Sequence, residues 1–342
     1  MFNKHGGYTG DREVTDYSIN INPFGISEKL KGRITEKLDE LENYPEIDGE
    51  STKKKLSEFT GYPEENLIIG NGASELIYLF ARAEKMEGKT AGILEPTFTE
   101  YGKASEMYGA DIERFTDFSD LKRAAEEKKV DFIFICSPNN PTGKSADLKD
   151  IEEILNISQK NGIKVFIDES FIEFSERDSS AEFIRKYSLF VLCSVTKIYG
   201  IPGIRIGYGI GSEDIIRDMN RFKEPWTVNA LALETLETYF EDEEYRKRTA
   251  DWFREEKEKF YRELSEIEDI EIYSSDANFF MIKLKKSDGK TLKDYCLENG
   301  FYIRTCEDFY SLGSDYIRLA VRFREQNEKI AKVIDSFFKS EL

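Results

Sequence analysis

A lysine, an aspartate and an arginine of this chain each stand close to a strand-like apolar run. Lys197 follows the run LFVLCSV, and Asp168 ends the apolar part of IKVFIDES. Arg205 comes eight residues after the lysine, beyond a turn that contains two glycines and a proline. Because ligands of open α/β sheets bind at the carboxyl ends of the strands, we expect these side chains to meet. Together an amine, a carboxylate and a guanidinium could bind an anion and move protons.

These three groups, together with the hydroxyls of Ser194 and Thr196, meet the requirements of pyridoxal phosphate. The amine of Lys197 could form a Schiff base with the aldehyde, and Asp168 could keep the pyridine nitrogen protonated. Arg205 and the two hydroxyls could hold the phosphate. Taken alone, the lysine would be interpreted as an ordinary surface residue. Its combination with the aspartate and the arginine favours the cofactor.

Two more turns could contribute to the same site. In IIGNGASELIYLF a strand, a turn containing Gly72 and a helix start follow one another, so the amides of Ala73 and Ser74 could point at a phosphate. In SPNNPTGK a rigid turn follows a strand, and Asn140 could donate to the hydroxyl of the cofactor ring. Each stretch by itself could be only a tight turn.

Apolar runs alternate with amphipathic stretches over the middle of the chain, which predicts an α/β fold with a mainly parallel sheet. The clearest helix is predicted over 145–162, with Ser145 as its cap and Asn161-Gly162 as its end. From about residue 229 the pattern changes to a compact α+β unit, joined to the first by a continuous helix. The predicted strands are 66–70, 90–96, 130–138, 163–170, 189–195 and 204–211.

Composition and charge exclude several classes of function. The net charge is −18, from 67 acidic and 49 basic residues, so nucleic acid and anionic membranes are not expected partners. No run of 18 apolar residues could span a bilayer, and the cytoplasm is the expected compartment. The four cysteines stand singly and are expected to be reduced thiols. With a single histidine and no close Cys/His cluster, no metal site is expected.

Five motifs taken together resemble the fold-type-I pyridoxal-phosphate enzymes of the class I/II aminotransferase superfamily. They are GNGASE, EPTFTEYGKA, SPNNPTG, DESFIEF and SVTKIYGIPGIRIGY, and the similarity runs nearly end to end. The resemblance implies a mainly parallel seven-stranded sheet between helices, plus a smaller α+β domain. It divides the chain into an arm with part of the small domain (1–44), a large cofactor-binding domain (45–245) and a C-terminal small domain (246–342).

Two branches of that superfamily compete, the threonine-phosphate decarboxylases and the histidinol-phosphate aminotransferases. The stretches HGGY, DYSININPFG and ENYPEID resemble the decarboxylase branch, in which an N-terminal His-Gly-Gly motif helps to bind the substrate phosphate. This implies that His5 is a phosphate ligand; the alternative is a solvated arm in which it does nothing. Phe171 also resembles the decarboxylases, since many aminotransferases have a tyrosine there, although an aromatic residue that only fills space suits either branch.

The resemblance assigns the remaining roles. Arg304 and Arg318 match positions that grip substrate anions, whereas Arg322 and Arg324 are expected at the periphery or in surface ion pairs. Phe98 would stack on the pyridine ring, and Asn22 would lie near the substrate. Tyr44 would reach the cofactor phosphate of a neighbouring subunit. The last role implies a homodimer with shared active sites.

The reaction expected from these features is decarboxylation of O-phospho-L-threonine, or a related phosphorylated amino acid, to aminopropanol phosphate for cobalamin biosynthesis. The alternative is an aminotransferase of the histidinol-phosphate type. A non-catalytic cofactor-binding or regulatory protein is disfavoured because Lys197, Asp168 and Arg205 are all present. A dinucleotide-dependent oxidoreductase is disfavoured because no GxGxxG follows a strand.

Overall fold

The computed structural model of this chain describes residues 6–340. Its strands are β1 (Thr15–Asp16), β2 (Leu67–Gly70), β3 (Thr90–Leu94), β4 (Asp111–Phe115), β5 (Phe132–Cys136), β6 (Lys164–Asp168), β7 (Leu189–Cys193), β8 (Gly207–Gly211), β9 (Ile270–Ile272), β10 (Phe279–Leu284), β11 (Phe301–Tyr302), β12 (Arg304–Thr305) and β13 (Tyr316–Ala320). Its α-helices are α1 (Glu28–Lys37), α2 (Glu50–Thr60), α3 (Ala73–Ala83), α4 (Glu100–Met107), α5 (Phe118–Glu126), α6 (Leu148–Asn161), α7 (Val195–Ile198), α8 (Glu213–Phe222), α9 (Ala230–Glu241), α10 (Glu243–Ser265), α11 (Gly289–Glu298) and α12 (Arg324–Ser340).

The larger sheet has seven strands in the order β2-β8-β7-β6-β5-β3-β4. Only β8 runs antiparallel to its neighbours, and all other pairs are parallel. Every residue of the central strands β5 and β7 is buried, because apolar side chains pack against both faces of the sheet. This architecture confirms the predicted fold class.

The aromatic side chains of one sheet face form a rigid base under the strand ends. The ring of Phe80 in α3 lies edge-on to Phe134 in β5 and Phe166 in β6, at centroid distances of 5.9 and 5.1 Å. All three side chains are fully buried. Edge-to-face packing of this kind fixes the relative positions of the strands that carry the site.

Three local predictions were wrong. The edge strand β4 is not among the six predicted runs, because four of its five residues are partly or fully exposed and the apolar signal is weak. Helix α6 begins three residues after Ser145, since Asp147 is its cap and accepts from the amide of Lys149 at 2.9 Å. The predicted continuous helix between the two units is interrupted at Asp242, which separates α9 from α10.

The second sheet is antiparallel, in the order β12-β13-β10-β9, and packs with α10 and α11, which both contact α12. Strand β1 pairs in parallel with β11, and the amide of Ala320 donates to the carbonyl of Tyr17 at 3.0 Å. The N-terminal segment is thereby attached to the C-terminal unit. Within residues 6–340, no helix combines the length and the apolarity needed to cross a bilayer.

Candidate active site

The carboxyl ends of three neighbouring strands open into one cleft. Strand β6 ends at Asp168, β7 leads into the short helix α7 with Lys197, and β5 leads into the turn with Asn140. The cleft consists of two adjoining cavities, and the outer one encloses about 350 Å³. The predicted residues that line these cavities are Ala73, Ser74, Phe98, Asn140, Asp168, Ser194, Thr196, Lys197, Arg205, Arg304 and Arg318.

Two donors hold the buried carboxylate of Asp168. The hydroxyl of Tyr101 donates to Oδ2 at 2.6 Å, and the amide of Ser170 donates to Oδ1 at 2.8 Å. Burial raises the pKa of Asp168, whereas these two hydrogen bonds and the positive charge of Lys197 act in the opposite direction. The two bonds fix the carboxylate plane and support the charged form. Sequence reasoning missed Tyr101, whose only signal was its place in the EPTFTEYGKA motif.

The amine of Lys197 lies in a site that favours its neutral form. Burial and the positive charges of Arg318 and Arg205 lower its pKa to about 8, while Asp168 acts in the opposite direction. Its Nζ is 5.9 Å from the centroid of the Phe171 ring, which offers no hydrogen bond. An amine with this pKa is a nucleophile and a proton carrier near neutral pH.

This pKa predicts how the unloaded protein takes up its expected cofactor. The neutral fraction of Lys197 rises about tenfold between pH 7 and pH 9 when the pKa is near 8. The rate of pyridoxal-phosphate capture, followed by absorbance and by borohydride trapping, should rise by that factor and level off above pH 9. Nα-acetyl-lysine serves as the reference, because its rate should continue to rise through pH 10. A protein rate that keeps rising in parallel with the reference would contradict the lowered pKa.

The inner end of the cleft has the features of a phosphate site. Helix α3 begins at Ala73, and Gly72 before it has φ +78° and ψ 160°, a conformation that favours glycine. The hydroxyls of Ser194 and Thr196 lie 2.9 Å apart beside this helix start. A Cβ atom on Gly72 would lie 2.9 Å from Cζ of Arg205, so a side chain there would displace the guanidinium from its present position. Backbone amides, hydroxyls and a guanidinium therefore fit the phosphate of pyridoxal phosphate.

We expect Gly72→Ala to weaken cofactor binding about tenfold while the protein stays folded, because the methyl group meets the guanidinium of Arg205 and the backbone is strained. Equilibrium dialysis with pyridoxal phosphate measures the change, and circular dichroism checks the fold. Gly203→Ala is the matched control, because a Cβ atom there meets nothing within 4 Å. Equal affinities in the two variants would argue against a phosphate site at Gly72.

The outer part of the cleft is cationic. Arg304 and Arg318 line it, and both are almost completely buried. The guanidinium of Arg318 donates to the side-chain oxygen of Asn140 and, at 2.7 Å, to the carbonyl of Ser18. Burial lowers the pKa of Arg318 to about 10, which leaves it charged at neutral pH. Arg304 pairs with Asp308 at 2.7 Å.

The structure does not bring Asn22 to the cleft. Its amide group donates to the carbonyl of Ile198 at 2.7 Å and to the hydroxyls of Tyr245 and Thr249 at 2.9 and 3.1 Å, so it is fully engaged in the core. Asn20 lines the cleft instead, and its buried Oδ1 has no hydrogen-bond partner within the described residues. The resemblance implied that Asn22 lies near the substrate, whereas Asn20 is the asparagine of this segment that lines the cleft.

The two peripheral arginines occupy different places. Arg324 is exposed and pairs with Glu328 at 2.6 Å, in agreement with the expected surface ion pair. The same expectation was wrong for Arg322, which is buried and donates to the carbonyl of Asp16. Arg322 therefore holds the N-terminal segment against the C-terminal unit.

His5 lies outside the described residues, but its neighbour Gly6 lines the outer cleft together with Arg304 and Arg318. Tyr44 does not line the cleft of its own chain. Its side chain is 86% exposed, and its ring lies 5.3 Å from that of Trp226. Its role at a neighbouring subunit stays a prediction.

Comparisons with known proteins agree with this geometry. The sequence model of the family described as aminotransferase class I and II matches residues 12–334. A threonine-phosphate decarboxylase of Salmonella typhimurium is 32% identical over 328 residues, which cover 93% of this chain and 89% of that protein. A histidinol-phosphate aminotransferase of Methanococcus aeolicus is also 32% identical, over 336 residues that cover 94% and 89%.

A solved structure of the same kind superposes on nearly the whole chain. The histidinol-phosphate aminotransferase from Clostridium acetobutylicum gives a TM-score of 0.89 at 28% identity, with 95% of this chain and 99% of that chain covered. Proteins named for either activity therefore match over almost the full length, and the identities do not separate the two.

Proposed function

The chain belongs to the class I and II aminotransferase family, whose cofactor is pyridoxal 5′-phosphate, and on that basis we propose that it decarboxylates O-phospho-L-threonine to aminopropanol phosphate. We place this reaction in cobalamin biosynthesis in the cytoplasm. The observation that carries the proposal is the convergence of Arg304, Arg318 and the backbone of Gly6 on the cleft that contains Lys197.

The cleft is cationic in a chain whose net charge is −18. Arg205 lies beside Gly72 at the end of the cleft assigned to the cofactor, and Arg304 and Arg318 are the arginines assigned to the substrate. A phosphate ester carries more charge than a carboxylate and can accept from both guanidinium forks. The two arginines therefore suit a phosphorylated substrate that is held by its side chain.

Holding the substrate by its phosphate has a consequence for its carboxylate. Loss of carbon dioxide removes the negative charge of that group. A guanidinium bound to the carboxylate would therefore stabilise the substrate more than the transition state and would oppose the reaction. If Arg304 and Arg318 both bind the phosphate, the carboxylate would carry no guanidinium that opposes its loss.

Bound pyridoxal phosphate supplies an electron sink for the charge that develops at the α-carbon of the substrate. Lys197 would hold the cofactor and, with a pKa near 8, could return a proton to the α-carbon after cleavage. Asp168, fixed by Tyr101, supplies the negative charge for the pyridine end of the site. Phe98 and Phe171 line the cleft with apolar surface and limit the access of water.

The second candidate is an aminotransferase of the histidinol-phosphate type. Its support is the TM-score of 0.89 with the Clostridium acetobutylicum enzyme, whose name states that activity. Histidinol phosphate could use the same two arginines for its phosphate. Transamination differs in cleaving the bond between the α-carbon and its hydrogen, so the orientation of the substrate decides between the candidates.

We propose that the functional unit is a homodimer. Five large apolar side chains within residues 38–47 and at residue 226 are about half exposed or more, and the amide of Trp226 donates to the carbonyl of Ile47 at 3.1 Å. They are Leu38, Leu41, Tyr44, Ile47 and Trp226. A second copy of the chain could cover them and receive Tyr44 at its cofactor site. Sedimentation of the holoenzyme should give twice the chain mass, and Leu41→Asp should lower it to one chain.

Release of carbon dioxide tests the proposed reaction. Purified, cofactor-loaded protein is given O-phospho-L-threonine with no oxo acid present. Continuing release in proportion to substrate supports the decarboxylase. If no carbon dioxide is released and the protein instead transfers the amino group of histidinol phosphate to 2-oxoglutarate, the decarboxylase proposal is overturned in favour of the second candidate.

A further inference from the structure

We propose that Asp16 and Ser18 are positioning residues that hold the amino-terminal arm, defined here as residues 6–8, at the mouth of the substrate cleft. The inference rests on the proposed function only in that the cleft binds a phosphate ester. Neither residue is needed to bind the cofactor, since neither lines the inner cavity.

A chain of hydrogen bonds joins the arm to this pair. Oδ2 of Asp16 accepts from the amide of Tyr8 at 2.8 Å, and Oδ1 accepts from the amide and the hydroxyl of Ser18 at 2.8 and 2.6 Å. The Ser18 hydroxyl oxygen in turn accepts from the amide of Gly7 at 2.7 Å. The consecutive amides of Gly7 and Tyr8 thus donate to the side chains of Ser18 and Asp16. These bonds fix the direction in which the arm runs.

Close packing adds to these hydrogen bonds. A Cβ atom on Gly6 would lie 2.9 Å from the carbonyl carbon of Ser18, so the arm backbone rests directly on that residue. The ring of Tyr8 lies 5.0 Å from that of Tyr302, on the C-terminal unit. Gly6 and Ser18 both line the outer cavity of the cleft. Gly6 of the arm therefore forms part of the wall of the proposed substrate site.

The backbone of the segment that carries Asp16 and Ser18 is held in place by contacts that do not involve the arm. Residue 16 belongs to β1, which pairs with β11, and the carbonyl of Asp16 accepts from Arg322. The carbonyl of Ser18 accepts from Arg318 at 2.7 Å. Because these contacts use backbone carbonyls, changes of the Asp16 and Ser18 side chains should release the arm and leave the segment beneath it in place. The same contacts connect the arm to an arginine of the substrate site.

Hydrogen exchange in the holoenzyme tests the arm directly. Asp16→Asn and Ser18→Ala should each speed exchange of the amides of residues 7 and 8 about tenfold, as measured by mass spectrometry of the N-terminal peptide. Inorganic phosphate should slow this exchange in the unaltered protein and have a smaller effect in the two variants. Asp117→Asn is the matched control, because that carboxylate also accepts from a backbone amide, at the start of α5.

Kinetics provide the second measurement. Both variants should raise the KM for the phosphorylated substrate about tenfold and change kcat less than twofold, with the cofactor absorbance unaltered. Unchanged exchange at residues 7 and 8, or a fall in kcat with KM unchanged, would overturn the inference. If the unaltered enzyme does not decarboxylate O-phospho-L-threonine, the proposed function fails, while the exchange experiment with inorganic phosphate still tests the arm.

Discussion

Lys197→Ala is expected to lower turnover about 1,000-fold, because the proposed mechanism assigns proton transfer at the α-carbon to this amine. In the proposed function the same amine would hold the cofactor, so borohydride should no longer link the cofactor to the protein. The structure gives the reason for a large effect: burial and two arginines lower the pKa of this lysine to about 8, and no other lysine lines the cleft within residues 6–340.

Chemical rescue distinguishes a lost amine from a damaged fold. Added methylamine should restore part of the Lys197→Ala activity in proportion to its concentration, since it can enter the space that the side chain leaves. Lys257→Ala is the matched control: burial lowers the pKa of that lysine too, but it lies in α10 away from the cleft. Turnover above a tenth of the original in Lys197→Ala would contradict the assigned role.

Arg318→Met is expected to raise the KM for the phosphorylated substrate about 100-fold, as is typical of removing a buried, hydrogen-bonded charge from a binding site. Methionine fills much of the space but cannot donate. The change also leaves the side-chain oxygen of Asn140 and the carbonyl of Ser18 without the donor they share. Steady-state kinetics measure the effect on KM, and cofactor absorbance reports whether the inner cavity is intact.

Two companion variants complete the Arg318 experiment. Arg318→Lys keeps the charge without the planar fork, so its KM should lie between those of the unaltered enzyme and Arg318→Met. Arg324→Met removes an exposed arginine six residues along the chain and should leave KM unchanged. A KM for Arg318→Met within threefold of the original would exclude Arg318 from substrate binding.

The sequence by itself determined the fold class and the identity of most cleft residues. Buried parallel strands leave a nearly continuous apolar signal, and the chemistry of Lys197, Asp168 and Arg205 is specific as a set. Asp168 ends β6 and Lys197 follows β7, so the rule that ligands bind at carboxyl ends was enough to bring these two together. Arg205 precedes β8, which is antiparallel to β7 and therefore starts at the same edge of the sheet. The edge strand β4 was not predicted, because a strand that is largely exposed does not have a continuous apolar run.

Only the tertiary structure decided the contacts between distant segments. Asn20 and Asn22 have the same residue type and stand two positions apart, and packing against α7 and α10 determines that Asn22 is engaged in the core. Tyr101 reaches Asp168, at the end of β6, from the separate helix α4, and Arg322 is buried although it was expected at the periphery or in a surface ion pair. Periodicity reports which face of an element is buried, whereas hydrogen-bond partners depend on how separate elements meet in space.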